Sequence, residues 1–338
     1  MQAYVPVVSR TGKPLMPTTH GNANKLLARG KAIRRFDRGL FYLKLTERSD
    51  GHIQPIAVGI DPGSKREGYS LKSYAHTYLN IQADAVTWVK KAEATSTQMR
   101  RTRRSRKTPY RQMRPNRHQG QFRLPPSTRA RWSWKLRLCH WLARRFPITM
   151  FVVEDVAAET RPGKCRWNQS FSPLEQGKLF FYTELSAIAP LVTREGHYTA
   201  AVREQLGLKK TKQKLSDSFD AHCVDSWVLA NFYTGGHLTP DNIEILYLVP
   251  LRFHRRQLHR LEPGQGGTRA PYGGTMSLGF KRGSWVKHPR YGLCYVGGSS
   301  AGGISLHAMQ DGTRLTQNAK PEALAFLCTA SWRMRTAG

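Results

Sequence analysis

Three strand-like runs stand one behind another in residues 56–86: IAVGI, REGYSLKS and TYLNIQADAV. The first stops in Asp-Pro-Gly, which favours a tight turn and leaves Asp61 at the strand tip. Such a meander must bury one face, and the chain that follows supplies the cover. PPSTRARWSWKLRLCHWLARRF opens with proline and a Ser/Thr cap signal. Its apolar stripe through Trp134, Leu138 and Leu142 predicts a helix of about five turns. It leads into ITMFVVEDV, read as a strand, and then PLEQGKLFFYTELSAIAPLV, read as a helix. GHYTAAV is read as a short strand, and the polar KKTKQKLSDS feeds a last helix, FDAHCVDSWVLANFY, whose later part is apolar.

Three strands, then helix, strand, helix, strand, helix: this order predicts an α/β, RNase H-like mixed sheet with a site near the carboxyl ends of its strands. The acids fall where such a site would be. Between Glu93 and Glu154 there is no Asp or Glu, while sixteen Lys and Arg occupy the interval. Acids return only where the Phe-Val-Val run ends. Asp61 ends the first strand and Glu154 the strand after the long helix, while Asp225 lies in the last helix. His222 lies one turn before Asp225 on the same helix face. Three carboxylates from distant segments make a hard oxygen cage suited to Mg²⁺ or Mn²⁺. Two such ions can activate water and stabilise a leaving 3′-oxygen of a phosphodiester. His222 suits a general base or an orienting group. Asp155, by strand alternation, points to the opposite face and is left out. Each acid also has a plainer reading: Asp61 as turn former, Asp225 as exposed helix residue, Asp217 and Asp220 as helix N-terminal charges.

Fifty-four Lys and Arg against twenty-two Asp and Glu give a net charge of +32, an excess that points to a polyanionic partner. No apolar stretch approaches the ~20 residues that span a bilayer, and the N-terminus lacks the apolar core of a secretory signal. Five scattered cysteines without CxxC spacing read as reduced thiols of a cytoplasmic protein. Nine basic residues crowd between Met99 and Arg117: Arg100, Arg101, Arg103, Arg104, Arg106, Lys107, Arg111, Arg114 and Arg117. Arg100, Arg103, Arg104, Lys107, Arg111 and Arg114 keep helical spacing, although Pro109 and Pro115 argue against one regular helix throughout. Arginine forks suit bidentate phosphate contact. A solvated charge run is the bland alternative. Tethered at both ends within the fold, the block is better read as a wedge against an A-form duplex or folded RNA.

The ends of the chain are less regular. AYVPVVS reads as extended, TGKPLMPTTHG as turn-rich, and NANKLLARGKAIRRF as a short basic helix ended by Gly30. After residue 235 glycine and proline increase, GQGGTRAPYGG reads as a link near 262–275, and SWVKHPRYGLCYVGG alternates like a small antiparallel β module.

Taken together, GKPLMP, AVGIDPGSKREGYS, RRTRRSRKTPYR, RLPPSTRAR, FVVEDV, SDSFDAHCVD and GFKRGSWVKHPRYGLCYVGG resemble IsrB. These are the transposon-encoded, RNA-guided relatives of IscB and of the type II CRISPR effector nucleases. The resemblance covers nearly the whole chain. In IscB an HNH nuclease domain interrupts the RuvC-like core. Only about seventy residues separate Glu154 from Asp225, with no His-Asn-His constellation among them, as the IsrB branch would have it. The resemblance implies five segments: an N-terminal PLMP domain over 1–52, RuvC-like segment I over 53–93, an arginine-rich bridge helix over 94–126, RuvC-like segments II and III over 127–260, and a C-terminal β-rich module over 261–338 that helps read a short motif flanking the target. It also implies a monomer within a ribonucleoprotein with a large omega RNA, in a bacterial or archaeal cytoplasm, near the nucleoid. Base pairing would read the target DNA, and the single site at Asp61, Glu154, His222 and Asp225 would nick the displaced strand. Three rival expectations stay open: an unguided RuvC-type nuclease, a catalytically inactive guide-RNA and DNA binder, and a basic RNA-packaging protein.

Overall fold

The computed structural model describes residues 4–105, 124–158, 170, 172–253, 261–262, 267–268, 275–300 and 302–336. The chain begins with β1 (Tyr4–Val8), β2 (Pro14–Thr19), α1 (His20–Ala28), β3 (Ala32–Asp37) and β4 (Leu40–Leu45) in a four-stranded sheet of order β2-β1-β4-β3. The turn-rich stretch of the sequence is thus mostly the strand β2. It lies at the sheet edge, where prolines such as Pro14 and Pro17 are tolerated. Pro6 sits inside β1, and the register with β2 shifts between Val5 and Val7, as expected where proline removes a donor. The basic helix ends before Gly30, which takes φ +68°, and the chain beyond it turns back as β3.

Next come β5 (Ile56–Asp61), β6 (Arg66–Ser73), β7 (Thr77–Asp84), α2 (Trp88–Ser105), α3 (Pro126–Ala143), β8 (Met150–Asp155), α4 (Pro173–Ser186), β9 (Leu191–Glu195), α5 (Gly196–Gln205), α6 (Phe219–Thr234) and β10 (Ile245–Pro250). Two expectations from the sequence are corrected. The helix read over PLEQGKLFFYTELSAIAPLV stops at Ser186, and LVTRE after Pro190 is β9, parallel to β8. GHYTAAV is the start of helix α5, not a strand. Its helical period appears only when the window is extended, because Val202 and Leu206, four apart, pack on the cluster of Phe219 and Trp227.

The C-terminal part has two short pairs, β11 (Leu261–Glu262) with β12 (Gly267–Thr268) and β13 (Met276–Ser277) with β14 (Phe280–Lys281). It continues with β15 (Ser284–His288), β16 (Gly292–Ser300), β17 (Gly303–Ala308), β18 (Arg314–Ala319), β19 (Ala325–Thr329) and β20 (Trp332–Arg335). The run SWVKHPRYGLCYVGG forms the antiparallel hairpin β15–β16 within a five-stranded sheet of order β18-β17-β16-β15-β19. The last strand leaves that module: β20 pairs antiparallel with β10.

The central sheet has the order β20-β10-β7-β6-β5-β8-β9. Strand β6 runs antiparallel to β5 and β7, while β8 and β9 run parallel to β5. The five strands β7-β6-β5-β8-β9 have the RNase H-like order, so the chain is an α/β protein of that fold. One sheet face carries Val58, Ile60, Tyr69, Leu71, Phe151 and Val153 into a core with Trp132, Trp134, Leu138 and Trp141 of α3 and Phe181 of α4. The opposite face is built differently. A Cβ at Gly59 would collide with the Ser226 carbonyl, and one at Gly68 with the His222 carbonyl. Ser70 and Ser226 hydroxyls meet at 2.9 Å between them. Small residues on β5 and β6 let α6 lie almost on the sheet, and this sets the height of its polar side chains.

No helix among the described residues is long and apolar enough to cross a membrane. Cys139, Cys223, Cys294 and Cys328 are buried free thiols.

Candidate active site

Asp61 is the last residue of β5. Alternation sends Ile56, Val58 and Ile60 to the α3 core, so Gly59 and Asp61 face α6. The pairing of Ile60 with Val153 sets Glu154 beside Asp61 at the ends of two parallel strands. Asp225, in the second turn of α6, is 1% exposed. One oxygen from each of Asp61, Glu154 and Asp225 can be chosen so that all lie within 4.8 Å of one another. Asp155 faces the other way, where it accepts from Lys178 Nζ at 2.6 Å and Tyr182 OH at 3.0 Å.

His222 lies against Asp61, with Nδ1 3.1 Å from Oδ2, while Nε2 donates to the Lys214 carbonyl at 2.9 Å. Both ring nitrogens are engaged, so in this arrangement the imidazole orients the carboxylate and has no nitrogen free for a water proton.

Burial pushes the Glu154 carboxyl up, and the nearby Asp61 and Asp225 carboxylates push it further, to about 8. Burial also opposes the charge of Asp61. The hydrogen bond from His222 and the Lys210 ammonium outweigh it and hold that carboxyl below its usual value. Acids crowded out of water in this way call for positive charge beside them. A divalent ion with oxygen preference fits the donor set, and Asp61, Glu154 and Asp225 are the residues that would hold it.

Four neighbours escaped the sequence reading. Arg203 Nη1 pairs with one oxygen of Asp225 and Lys210 Nζ with the other. Burial lowers the tendency of Lys210 to hold its proton, but the charges of Asp225, Asp61 and Glu154 overcome it, and its pKa is raised. Gly196 opens α5 directly over Glu154: a Cβ there would sit 2.6 Å from Oε1. Thr199, 1% exposed, has a buried hydroxyl without a hydrogen-bond partner. Positions 196, 199 and 203 share one helix face, so α5 is a wall of the acid pocket. The spacing Gly-x-x-Thr-x-x-x-Arg was there to be seen, but reading the segment as a strand dispersed it onto two faces.

The basic block is described in part. Arg100 and Arg101 are exposed on α2, and Arg103 and Arg104 lie on the same helix. Arg106, Lys107, Arg111, Arg114 and Arg117 lie outside the described residues.

Residues 5–165, just under half of the chain, match the model of the RRXRR protein family, and residues 100–104 read Arg-Arg-Thr-Arg-Arg. No curated protein matches the chain. Among solved structures it is similar to T. thermophilus RuvC in complex with a Holliday junction substrate, with 11% identity, a TM-score of 0.30, and coverage of 54% of this chain and 98% of that one. It is also similar to the yeast mitochondrial Holliday junction resolvase Ydc2, with 16% identity, a TM-score of 0.27, and coverage of 55% and 80%. With superpositions this loose, it is the strand order and register of the chain itself that make the fold RNase H-like.

Proposed function

We propose that this protein is a divalent-metal-dependent DNA endonuclease guided by a structured RNA, and that it nicks one strand with a single acid centre. The observation that carries the reading is the meeting of Asp61, Glu154 and Asp225, three acids of a chain with net charge +32, at the carboxyl end of an RNase H-like sheet. A pocket of carboxylates repels phosphate unless it holds metal, and the surrounding basic surface attracts it. Bound there, divalent cations supply the charge that activates a water and stabilises the departing 3′-oxygen.

The chain's own part is positional. His222 fixes Asp61 through a 3.1 Å contact. Gly196 leaves the Glu154 carboxylate its space. The arginines of α2 hold nucleic-acid backbone outside the centre. Guidance by RNA is supported by the basic block, by the match to the RRXRR family over the span that contains it, and by the IsrB-like motifs from PLMP to the C-terminal module. The five domain segments set out from the sequence, and an omega RNA as partner, belong to the same proposal.

The test is nicking of a supercoiled plasmid bearing the target. Nicking should require both Mg²⁺ and the RNA that copurifies with the protein. Asp61→Ala should abolish it while RNA binding stays within about twofold of wild type, since Asp61 is buried at the end of β5 and touches none of the described residues of the basic block. Wild-type cutting by Asp61→Ala sinks the site, and RNA-independent cutting sinks the guidance.

A further inference from the structure

We propose that Lys210 is the resident cation of the acid centre, held on Asp225 until a DNA phosphate draws it away, so that uptake of divalent metal is coupled to arrival of the strand. The inference rests on the metal-centre reading above.

Asp225 is the most deeply buried of the three acids, and both its oxygens are taken, one by Arg203 and one by Lys210. A metal ion that uses Asp225 competes with them for the carboxylate's charge and lone pairs. Arg203 belongs to the α5 wall, where the helix fixes its root. Lys210 does not. It lies on the connection between α5 and α6, and its side chain is 31% exposed, so the ammonium can leave along an open path.

The backbone around it is pinned. Thr211 N donates to Asp220 O at 3.1 Å, His222 holds the Lys214 carbonyl, and Arg66 holds the Ser216 carbonyl at 3.1 Å. A swing of Lys210 is therefore a side-chain event that needs no loop opening. Lys209, Lys212 and Lys214 are exposed on the same connection, which adds positive charge to the segment that carries Lys210. A strand that reaches the centre brings phosphates near this segment and offers Lys210 a partner in water in place of Asp225.

Charge makes the exchange consequential. As folded, the acids already face the Arg203 and Lys210 cations, which weakens their attraction for a divalent ion. Removing Lys210 restores it. Because binding free energies are reciprocal, DNA that frees Lys210 tightens metal, and metal that expels Lys210 tightens DNA.

The experiment titrates Mn²⁺ into the full chain freed of nucleic acid, with free Mn²⁺ followed by electron paramagnetic resonance and Asp61→Asn as the background. Lys210→Met should bind Mn²⁺ about tenfold more tightly than wild type, within the range usual for coupled sites. Lys210→Arg, which keeps a cation, should stay near wild type. A short single-stranded oligodeoxynucleotide should tighten Mn²⁺ binding several-fold in wild type and by less than about twofold in Lys210→Met. Equal or weaker binding by Lys210→Met overturns the inference and leaves the metal centre standing. If neither wild type nor Lys210→Met binds above the Asp61→Asn background, the metal centre falls and the inference with it.

Discussion

Gly196 has no side chain, and Glu154 uses the space. At this position the backbone φ is ordinary, so alanine is tolerated conformationally and even favoured within a helix. Its methyl would nonetheless stand 2.6 Å from Glu154 Oε1, and the carboxylate must move. Gly196→Ala is therefore expected to melt at or slightly above the wild-type temperature and to nick about 100-fold more slowly, the usual cost of displacing a reacting group by roughly an ångström. Calorimetry and plasmid nicking on one preparation check both halves. The acids that meet at the centre were legible in the sequence because each ends a strand or lies a helical turn from a partner. Asp155 was separable from Glu154 by alternation alone. Lys210 was not legible. Among fifty-four Lys and Arg nothing local marks it, because its pairing with Asp225 is made by the path of a loop.

Among the elements, the connection into α6 is held from the far side of the sheet. Arg335 of β20 forms a bidentate pair with Asp217, Arg66 of β6 reaches the same carboxylate at 2.8 Å, and Tyr247 of β10 donates to its carbonyl at 2.6 Å. The Arg335 hydrogen bond, against the pull of burial, keeps the Asp217 carboxyl below its usual range, with the Arg66 charge adding to it. A lowered folded value means the folded state binds fewer protons. The stability it lends is therefore present above about pH 4, the ordinary aspartate value, and is lost as pH falls through the lowered folded value. Urea midpoints should show wild type above Asp217→Asn at pH 7, with the gap narrowing as pH falls below about 4. A gap that does not narrow would assign the difference to packing, not charge. The strands β5 to β8 were readable because their apolar residues alternate or run continuously between turn signals. The helix α5 and the strand β9 were not, because a seven-residue window holds fewer than two helical turns, and Pro190 divides what looked like one helix. The edge strand β2 was hidden by two prolines that its outer position tolerates.

At the scale of the molecule, a net charge of +32 favours a polyanionic partner. Binding to RNA should then weaken steeply with salt. Replacing Arg103 and Arg104 with alanine should lower the slope of log K against log salt by about 0.7–0.9 for each phosphate that the pair neutralises in the wild type. A filter-binding series from 50 to 300 mM KCl measures it, and an unchanged slope would mark α2 as a solvated helix. The fold class was readable from element order alone. The return of β20 was not, since nothing in four residues, Trp-Arg-Met-Arg, says which of two sheets they will join. That return has a consequence of its own. Pro250 and Trp332 are direct neighbours across the β10–β20 ladder, so the chain between them departs and rejoins at a single seam. A loop within that excursion could lengthen or shorten while the seam keeps its width, and Asp61, on β5 three strands from β10, would keep its place.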